Sequence, residues 1–322
     1  MRQGYAGSWL VTGLPGEAPI REGAVVFDDK CVVQVGARSA LSADTWTETR
    51  AILMPGLINA HVHLELSKLR GETRSGGGFG PWVASMMARR DVLQPELDEE
   101  AIDAGISELL RAGTAAIGEV SNTLASVPLL SSAPLLGRVY HEVFGGSREA
   151  ANAMLAGARA RRAALEQWPR NLSYTLAPHT VYTLHAELLQ ELSKGRTSLH
   201  LSEHAAERTF LLDGTGPFAD FLAQRGIPKS FVAPGLSPID YALQLGLPHP
   251  RLLAVHLCAT TRDELQRLAT TGVDAVLCPR SNLFIELKLP PLFDILEAGL
   301  KPGLGTDSLA SNTTLDVLAE AA

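Results

Sequence analysis

The chain has 322 residues, of which 46% are hydrophobic and 20% are charged. This composition is typical of a globular protein with a large core. The formal net charge of -7 argues against binding to nucleic acid or to an anionic membrane, because such surfaces need clustered Lys and Arg. The length predicts one large domain, alone or with a small second one.

Neither a secretory nor a membrane-spanning segment is predicted. The N-terminus lacks the apolar core of a signal peptide, and no apolar run approaches the ~20 residues that a membrane helix needs. Cys31, Cys258 and Cys278 lie far apart, in or beside apolar runs. This pattern predicts buried free thiols in a reducing compartment, and therefore a cytoplasmic protein.

Residues 1–50 contain short β-prone runs. The runs are Leu10–Thr12, Gly23–Phe27 and Cys31–Val35, and Asp28-Asp29 between the last two indicates a turn. A small antiparallel sheet is expected here.

From Ala51 onward, short apolar strands alternate with amphipathic helices. Counting the run that ends at His63 as the first, eight strands are predicted, and the other seven are Thr114–Gly118, Arg138–Phe144, Leu172–Leu176, Thr197–His200, Leu252–His256, Ala275–Cys278 and Pro302–Asp307. The clearest helices between them are Glu99–Ala112, Ser147–Trp168 and Ala186–Lys194. Eight such units favour an α/β fold with a (β/α)8 barrel. An open doubly wound sheet is the alternative, weakened because no Gly-rich phosphate loop follows a strand.

His61 and His63 end the first barrel strand. Side chains two residues apart on a strand point to the same face, so the two rings can share one metal ion. Two histidines in a polar turn would give the same pattern.

Other polar residues also follow predicted strands. Five of the nine histidines are at strand ends, and in a barrel such ends converge on one face. The additional candidates are His179, His200 with Glu203, His256 and Asp307. In isolation, His256 would be a core histidine and Asp307 a turn or N-cap residue.

Six motifs in one order resemble the amidohydrolase superfamily, in its deaminase and chlorohydrolase branch. They are PGLINAHVHLE (55–65), APHTVYT (177–183), HLSE (200–203), AVHL (254–257), CPRSNL (278–283) and GLGTDSLASN (303–312). The resemblance implies a barrel over 51–322 and a partial β-sandwich over 1–50. Members of the family continue beyond the eighth strand, so the chain is expected to be truncated at its C-terminus and to be unstable or to associate.

The resemblance also implies roles for individual residues. One divalent metal, zinc or iron, would be held by His61, His63, His200 and Asp307, and it would activate a water. Glu203 resembles the proton carrier, His256 resembles a group that hydrogen-bonds the attacking water, and Asp307 would pass the second proton to the leaving amine. No organic cofactor is implied. Family members with two metals bridge them through a modified lysine or a carboxylate on the third or fourth strand. No lysine occurs in 172–180, but Glu142 keeps a second metal open.

The substrate and the residues that contact it are predicted less precisely than the metal ligands. The candidate contacts are His179, Trp82, Arg280 and Asn282, with plain packing as the alternative for Trp82. The remaining histidines, which include His204, are expected to be structural.

The motifs most resemble the aminofutalosine deaminase subgroup, whose members act on an adenine-type nucleoside in a menaquinone route. Alternatives are deaminases of adenosylhomocysteine, guanine or cytosine, a triazine chlorohydrolase, a two-metal cyclic amide hydrolase, and a non-catalytic binding barrel. A small molecule is the expected partner, and association into homo-oligomers stays open.

Overall fold

A computed structural model describes residues 1–29, 31–224 and 232–322. By the distribution of its contacts, the chain divides into two compact units, Met1–Leu57 and Ile58–Ala322.

The first unit contains short strands in two sheets. In chain order its strands are β1 (Gln3–Ala6), β2 (Trp9–Leu10), β3 (Ile20–Arg21), β4 (Gly23–Phe27), β5 (Val32–Ala37), β6 (Thr45–Glu48) and β7 (Ile52–Leu53). The strand orders are β5-β4-β1-β6 and β3-β2-β7.

The prediction of an antiparallel sheet was only partly right. The pairs β1–β4 and β4–β5 are antiparallel, whereas β1–β6 and β2–β7 are parallel. β1, β3, β6 and β7 were missed because strands of two to four residues carry little periodicity. Cys31 is exposed, so its predicted burial was wrong, whereas Cys258 and Cys278 are buried and all three thiols are free.

Within the described residues, the second unit has eight parallel strands, of which the first begins at the boundary. They are β8 (Leu57–Val62), β9 (Thr114–Ser121), β10 (Leu136–Val143), β11 (Leu172–Pro178), β12 (Thr197–Leu201), β13 (Leu252–His256), β14 (Asp274–Leu277) and β15 (Gly303–Leu304). Its helices among the described residues are α1 (Phe79–Leu93), α2 (Glu99–Arg111), α3 (Ser126–Ser132), α4 (Arg148–Ala164), α5 (Ala186–Leu192), α6 (Ala205–Asp213), α7 (Pro217–Gln224), α8 (Pro238–Gln244), α9 (Arg262–Ala269), α10 (Pro279–Glu286), α11 (Leu292–Glu297) and α12 (Val317–Glu320).

Two bridges between residues join the strands into a barrel. The strands form two parallel runs, β8-β9-β10-β11 and β12-β13-β14-β15. Val62 bridges Asp307 at one seam, and Thr180 bridges His200 at the other. The predicted (β/α)8 barrel is therefore confirmed, and both seams contain a predicted site residue.

Most predicted elements agree with the observed ones to within a few residues. α4 ends at Ala164, short of the predicted Trp168, and the eighth strand is only Gly303–Leu304 before the bridge at Asp307. α2 shows why the helical pattern worked: Ile102, Ile106 and Leu109 recur at helical spacing and are all buried.

One glycine is required by the sheet itself. A Cβ on Gly118, in β9, would lie 2.2 Å from the Ala60 carbonyl oxygen in β8. Any larger residue would push these two neighbouring strands apart. Among the described residues, none of the helices combines the length and the apolar character that a bilayer crossing requires.

Candidate metal centre and active site

Three histidine side chains meet at the carboxyl end of the barrel. His61 is on β8, His63 follows it directly, and His200 is on β12. The Nε2 atoms of His61 and His63 are 3.1 Å apart, and the His61 ring centroid lies 4.8 Å from each of the other two centroids. We call these three side chains the imidazole cluster.

Asp307 brings a carboxylate to the imidazole cluster. Its Oδ1 lies 3.5 Å from His63 Nε2 and 3.9 Å from His61 Nε2. Its backbone N donates to the His61 carbonyl at 3.0 Å, and its φ of 57° is one that few non-glycine residues adopt. Such backbone strain is typical of functional positions.

Several hydrogen bonds fix the orientation of the Asp307 carboxylate. Oδ2 accepts from Ser281 Oγ at 2.6 Å and from Ser311 Oγ at 3.2 Å, and Oδ1 accepts from the Ser308 backbone N at 2.7 Å. Asn59 exchanges two hydrogen bonds with Thr306, which ties strand β8 to the chain just before Asp307. The carboxylate is therefore held from several sides.

The tautomer of His200 follows from its backbone contact. His200 Nδ1 lies 3.1 Å from the His179 carbonyl oxygen, which can only accept, so Nδ1 carries the hydrogen and Nε2 has the lone pair. The His200 backbone N donates to the same oxygen at 3.0 Å. Ligating histidines commonly have such a partner on their second nitrogen.

These residues fit a divalent metal ion. Burial and the neighbouring histidines lower the pKa of His61 well below its usual value, and burial also lowers the pKa of His63. Both rings are then neutral and have lone pairs available. Two Nε2 lone pairs directed at each other across 3.1 Å would repel, and a cation bound by both would remove this repulsion. His61 Nδ1 is also buried without a hydrogen-bond partner. Three imidazoles and one carboxylate are a donor set for a catalytic zinc-like ion.

Glu203 and His256 lie beside Asp307. Glu203 Oε2 is 3.5 Å from His256 Nε2, and one potential ligand atom from each of Glu203, His256 and Asp307 lies within 4.8 Å of the others. His256 is fully buried, has a φ of 80°, and neither of its ring nitrogens has a hydrogen-bond partner. Burial lowers the pKa of His256 to about 4, so the ring is neutral at pH 7.

Glu203 is charged despite its burial. Burial alone would raise the pKa of Glu203, but the neighbouring His204 and His256 outweigh burial and hold this pKa below its usual value. His204 lies with its Nε2 3.3 Å from Glu203 Oε2 and its Nδ1 2.9 Å from Glu286 Oε1. His204 was expected to be structural, but it lies against the predicted proton carrier.

A second group of possible ligands surrounds Glu142. One atom from each of Glu142, His179 and His200 lies within 4.8 Å of the others. Glu142 Oε1 is 3.4 Å from His200 Nδ1, the nitrogen that carries the hydrogen, and Asn122 Nδ2 donates to Oε2 at 3.0 Å. Burial opposes ionisation of Glu142, but His179 and His200 lower its pKa to about 2. This arrangement makes Glu142 an outer partner of His200.

The four predicted substrate contacts lie in different surroundings. The His179 ring is 5.1 Å from the His200 ring, and Trp82 donates from Nε1 to the Ala310 carbonyl at 3.0 Å. The Arg280 guanidinium donates to Asn312 Oδ1 at 3.4 Å and to Thr313 Oγ1 at 2.9 Å, so its hydrogen bonds are directed to the chain itself. Asn282 is fully buried, and neither atom of its amide has a hydrogen-bond partner.

Sequence analysis missed the residues that orient the site. Ser281 lies within the quoted motif CPRSNL and donates to Asp307. Ser311 lies within another quoted motif and does the same. Glu286 had no detectable signal, because its partner His204 is 82 residues away.

The chain is similar to proteins of one known family. A model of the amidohydrolase family matches residues 52–322. The chain is 30% identical over 288 residues to aminodeoxyfutalosine deaminase of Deinococcus radiodurans, which covers 84% of this chain and 67% of that protein. It is 29% identical over 311 residues to 5-methylthioadenosine/S-adenosylhomocysteine deaminase of Nitratidesulfovibrio vulgaris Miyazaki F, with coverage of 94% and 67%.

A solved structure shows the same fold. Helicobacter pylori aminofutalosine deaminase in complex with methylthio-coformycin superposes with a TM-score of 0.88 at 25% identity, over 99% of this chain and 80% of that one. The family match spans the barrel and every residue of the imidazole cluster, and on this ground the chain belongs to the amidohydrolase family.

Proposed function

We propose that this metal-dependent hydrolase of C–N bonds removes the amino group from the six-membered ring of an adenine-type nucleoside. Aminofutalosine, or a close analogue in a menaquinone route, is the proposed substrate. The products are the ring carbonyl compound and ammonia, and zinc is the proposed ion.

The observation that carries this proposal is the position of Glu203. Its carboxylate lies 3.5 Å from His256 and near Asp307, directly beside the imidazole cluster. A hydrolysis that adds water to a ring carbon and expels ammonia needs two proton transfers, and carboxylates at these positions support the proposal because they can carry the protons.

The proposed reaction divides the work among these residues. A divalent ion held by His61, His63, His200 and Asp307 would supply Lewis acidity, which lowers the pKa of a water toward ~7. Glu203 then takes a proton from the attacking water and transfers it to the adjacent ring nitrogen.

The remaining steps use the two neighbours of Glu203. The neutral His256 ring hydrogen-bonds the oxygen that attacks the ring carbon and stabilises the charge that develops there. Asp307 takes the remaining proton from the oxygen that has added to the ring carbon and passes it to the amino group. The C–N bond then breaks and ammonia leaves. Water is consumed and one C–N bond is replaced by C=O.

The named relatives support the nucleoside as the substrate class. Both curated relatives described above carry names of deaminases that act on adenine-type nucleosides, and the similar solved structure carries the name of an aminofutalosine deaminase. The first relative is the reason for placing aminofutalosine-like substrates ahead of others.

Deamination of 5-methylthioadenosine or S-adenosylhomocysteine is the second candidate. It is supported by the 29% identity over 311 residues to the relative of that name. The ring chemistry would be identical, and only the group on the ribose would differ. A panel of substrates therefore separates the two candidates.

The test combines metal analysis with an ammonia-release assay. The panel contains aminofutalosine, methylthioadenosine, adenosylhomocysteine, adenosine, guanine, cytosine and a cyclic amide. We expect one metal ion per chain and ammonia from an adenine nucleoside. Glu203→Gln is expected to lower kcat by about 10²–10⁴-fold, the usual contribution of a general acid–base group.

The control is Glu187→Gln, which changes an exposed carboxylate on α5 that pairs with Arg148. It should leave kcat unchanged. Two ions per chain with hydrolysis of the cyclic amide would replace the proposal by a two-metal amidase. A folded, metal-loaded chain without turnover on any substrate would indicate a non-catalytic barrel.

A further inference from the structure

The His204 ring lies between two carboxylates in the interior of the protein. Its Nε2 is 3.3 Å from Glu203 Oε2, its Nδ1 is 2.9 Å from Glu286 Oε1, and the residue is 2% exposed. A neutral imidazole has a hydrogen on only one nitrogen, so it could donate to only one of the two carboxylates. An imidazolium has a hydrogen on both nitrogens and can therefore face both carboxylates. In agreement with this, the two carboxylates outweigh burial and raise the pKa of His204 to about 10.

Two ring nitrogens lie near one of the two oxygens of Glu203. Oε2 is 3.3 Å from His204 Nε2 and 3.5 Å from His256 Nε2. The Glu203 backbone N donates to Glu207 Oε1 at 2.9 Å, which also holds the His204 backbone N at 3.0 Å. With Oε2 and the backbone both held, Oε1 is the oxygen left to exchange a proton.

Glu286 holds His204 and at the same time binds the start of α1. Its Oε1 accepts from the Phe79 backbone N at 3.0 Å as well as from His204. Two backbone hydrogen bonds run beside it, from Gly76 N to the Phe284 carbonyl at 2.7 Å and from Gly78 N to the Ile285 carbonyl at 2.9 Å. The end of α10 is thus joined to residues 76–79 at three points.

Aromatic rings cover the His204 side of this arrangement. The Phe79 ring centroid is 4.8 Å from that of His204, and Phe79 stacks on Phe218 at 3.7 Å. Such a cover keeps water away from the ion pair, and charges attract more strongly where the local dielectric constant is low.

We propose that His204, held in place by Glu286, is a positioning residue that orients the Glu203 carboxylate for proton transfer. The inference rests on the proposed function, because it assumes that Glu203 carries the proton. A hydrogen-bond donor fixed on Oε2 directs Oε1 toward the reacting groups, and the adjacent positive charge makes protonated Glu203 a better donor to the ring nitrogen.

The test compares His204→Gln with His204→Leu. Gln retains an N–H donor that can reach Glu203, whereas Leu has none. We expect kcat to fall about 10-fold in His204→Gln and about 100-fold or more in His204→Leu, with KM within twofold and with unchanged metal content. A partial rescue by Gln, confined to kcat, is not expected of a residue that serves folding alone.

Glu286→Gln supplies a second test that leaves His204 in place. It should lower kcat three- to tenfold on its own. In the His204→Gln background, the same substitution should lower kcat by less than a further twofold, because Glu286 acts through His204. The matched control is His185→Gln at the N-terminus of α5, which should match wild type. If His204→Gln does not fold, the Glu286→Gln result decides alone.

Three outcomes are distinguishable. Equal kcat in wild type, His204→Gln and Glu286→Gln, per folded and metal-loaded chain, would overturn this inference and leave the proposed function standing. A rise in KM alone would also overturn it, because it would assign His204 to substrate binding. If metal-loaded wild type releases ammonia from no nucleoside, the proposed function fails and this inference fails with it.

Discussion

The two halves of the site are held by different forces. The imidazole cluster and Asp307 lie on or beside strands, and the seams of the barrel run through them: Val62 bridges Asp307 and Thr180 bridges His200. The other half, which we call the Glu203 cluster, consists of Glu203, His204, Glu207 and Glu286. Side-chain charge holds this cluster together, through contacts of 2.9 to 3.3 Å around His204.

This difference indicates which property of the site each half determines. A metal centre needs donors at fixed distances, and backbone hydrogen bonds between strands provide such precision. A proton carrier needs a tuned affinity for the proton, and neighbouring charges provide that tuning. Changes to the seam should therefore act on metal content and folding, whereas changes to the Glu203 cluster should act on kcat and on pH dependence.

The largest effect is expected from Gly305→Ala at the first seam. A Cβ there would lie 2.7 Å from His61 Cβ and 2.8 Å from the His61 carbonyl oxygen, both on strand β8. The strands would have to move apart, so we expect the free energy of unfolding to fall by about 2–4 kcal/mol. Urea unfolding and metal analysis would measure the change.

Gly303→Ala is the matched control for this prediction. The nearest atoms to a Cβ at Gly303 are 3.9 and 4.0 Å away, which is ordinary van der Waals contact. We expect it to retain both stability and metal. Equal behaviour of the two variants would show that the seam does not determine the geometry of the metal centre.

A smaller effect is expected from Ser281→Ala, which keeps the seam but removes one donor from Asp307. The 2.6 Å hydrogen bond to Oδ2 would be lost, while Ser311 and the Ser308 backbone N would remain. Loss of such an outer partner typically costs 10–100-fold in metal affinity. Competition with a chelator would measure this affinity. Ser131→Ala, at an exposed position of α3, is the control. Equal affinity in both variants would contradict the role of Ser281.

The half of the site that lies on strands was predictable from sequence, because each of its residues can be recognised at the end of its own strand. His61 and His63 follow an apolar run that ends at a barrel strand, and His200, His256 and Asp307 come at equivalent points of later strands. Because parallel strand ends meet on one face, the fold by itself brings these residues together.

The charge-held half could not be predicted in the same way. His204 follows Glu203 directly, so adjacency gave no information about which way its ring points. Glu286 comes from α10, and only tertiary packing brings it within 2.9 Å of His204. Likewise, nothing local indicated that Cys31 would be exposed or that β1 and β6 would pair in parallel. Contacts between distant side chains carry no period in the sequence.

The smallest effect concerns the pH dependence of stability through Glu207. Burial, together with the negative charge of Glu203, outweighs the positive charge of His204 and raises the pKa of Glu207 to about 7. The Tyr182 hydroxyl is also nearby. The folded chain therefore retains this proton between about pH 4.5 and 7, where the unfolded chain has lost it. The stability that the protonated group contributes is present at low pH and is lost as the pH rises through 7.

Glu207→Gln removes this ionisation and keeps an oxygen that can accept from the Glu203 and His204 backbone N–H groups, as Oε1 does now. Relative to wild type, its free energy of unfolding should rise by about 1–3 kcal/mol between pH 5 and pH 8, since each unit of pKa shift corresponds to about 1.4 kcal/mol. Urea unfolding at several pH values would measure this difference. The exposed Glu187→Gln should show no such trend. A difference that stays constant with pH would mean that Glu207 is already ionised in the folded chain and that burial does not raise its pKa.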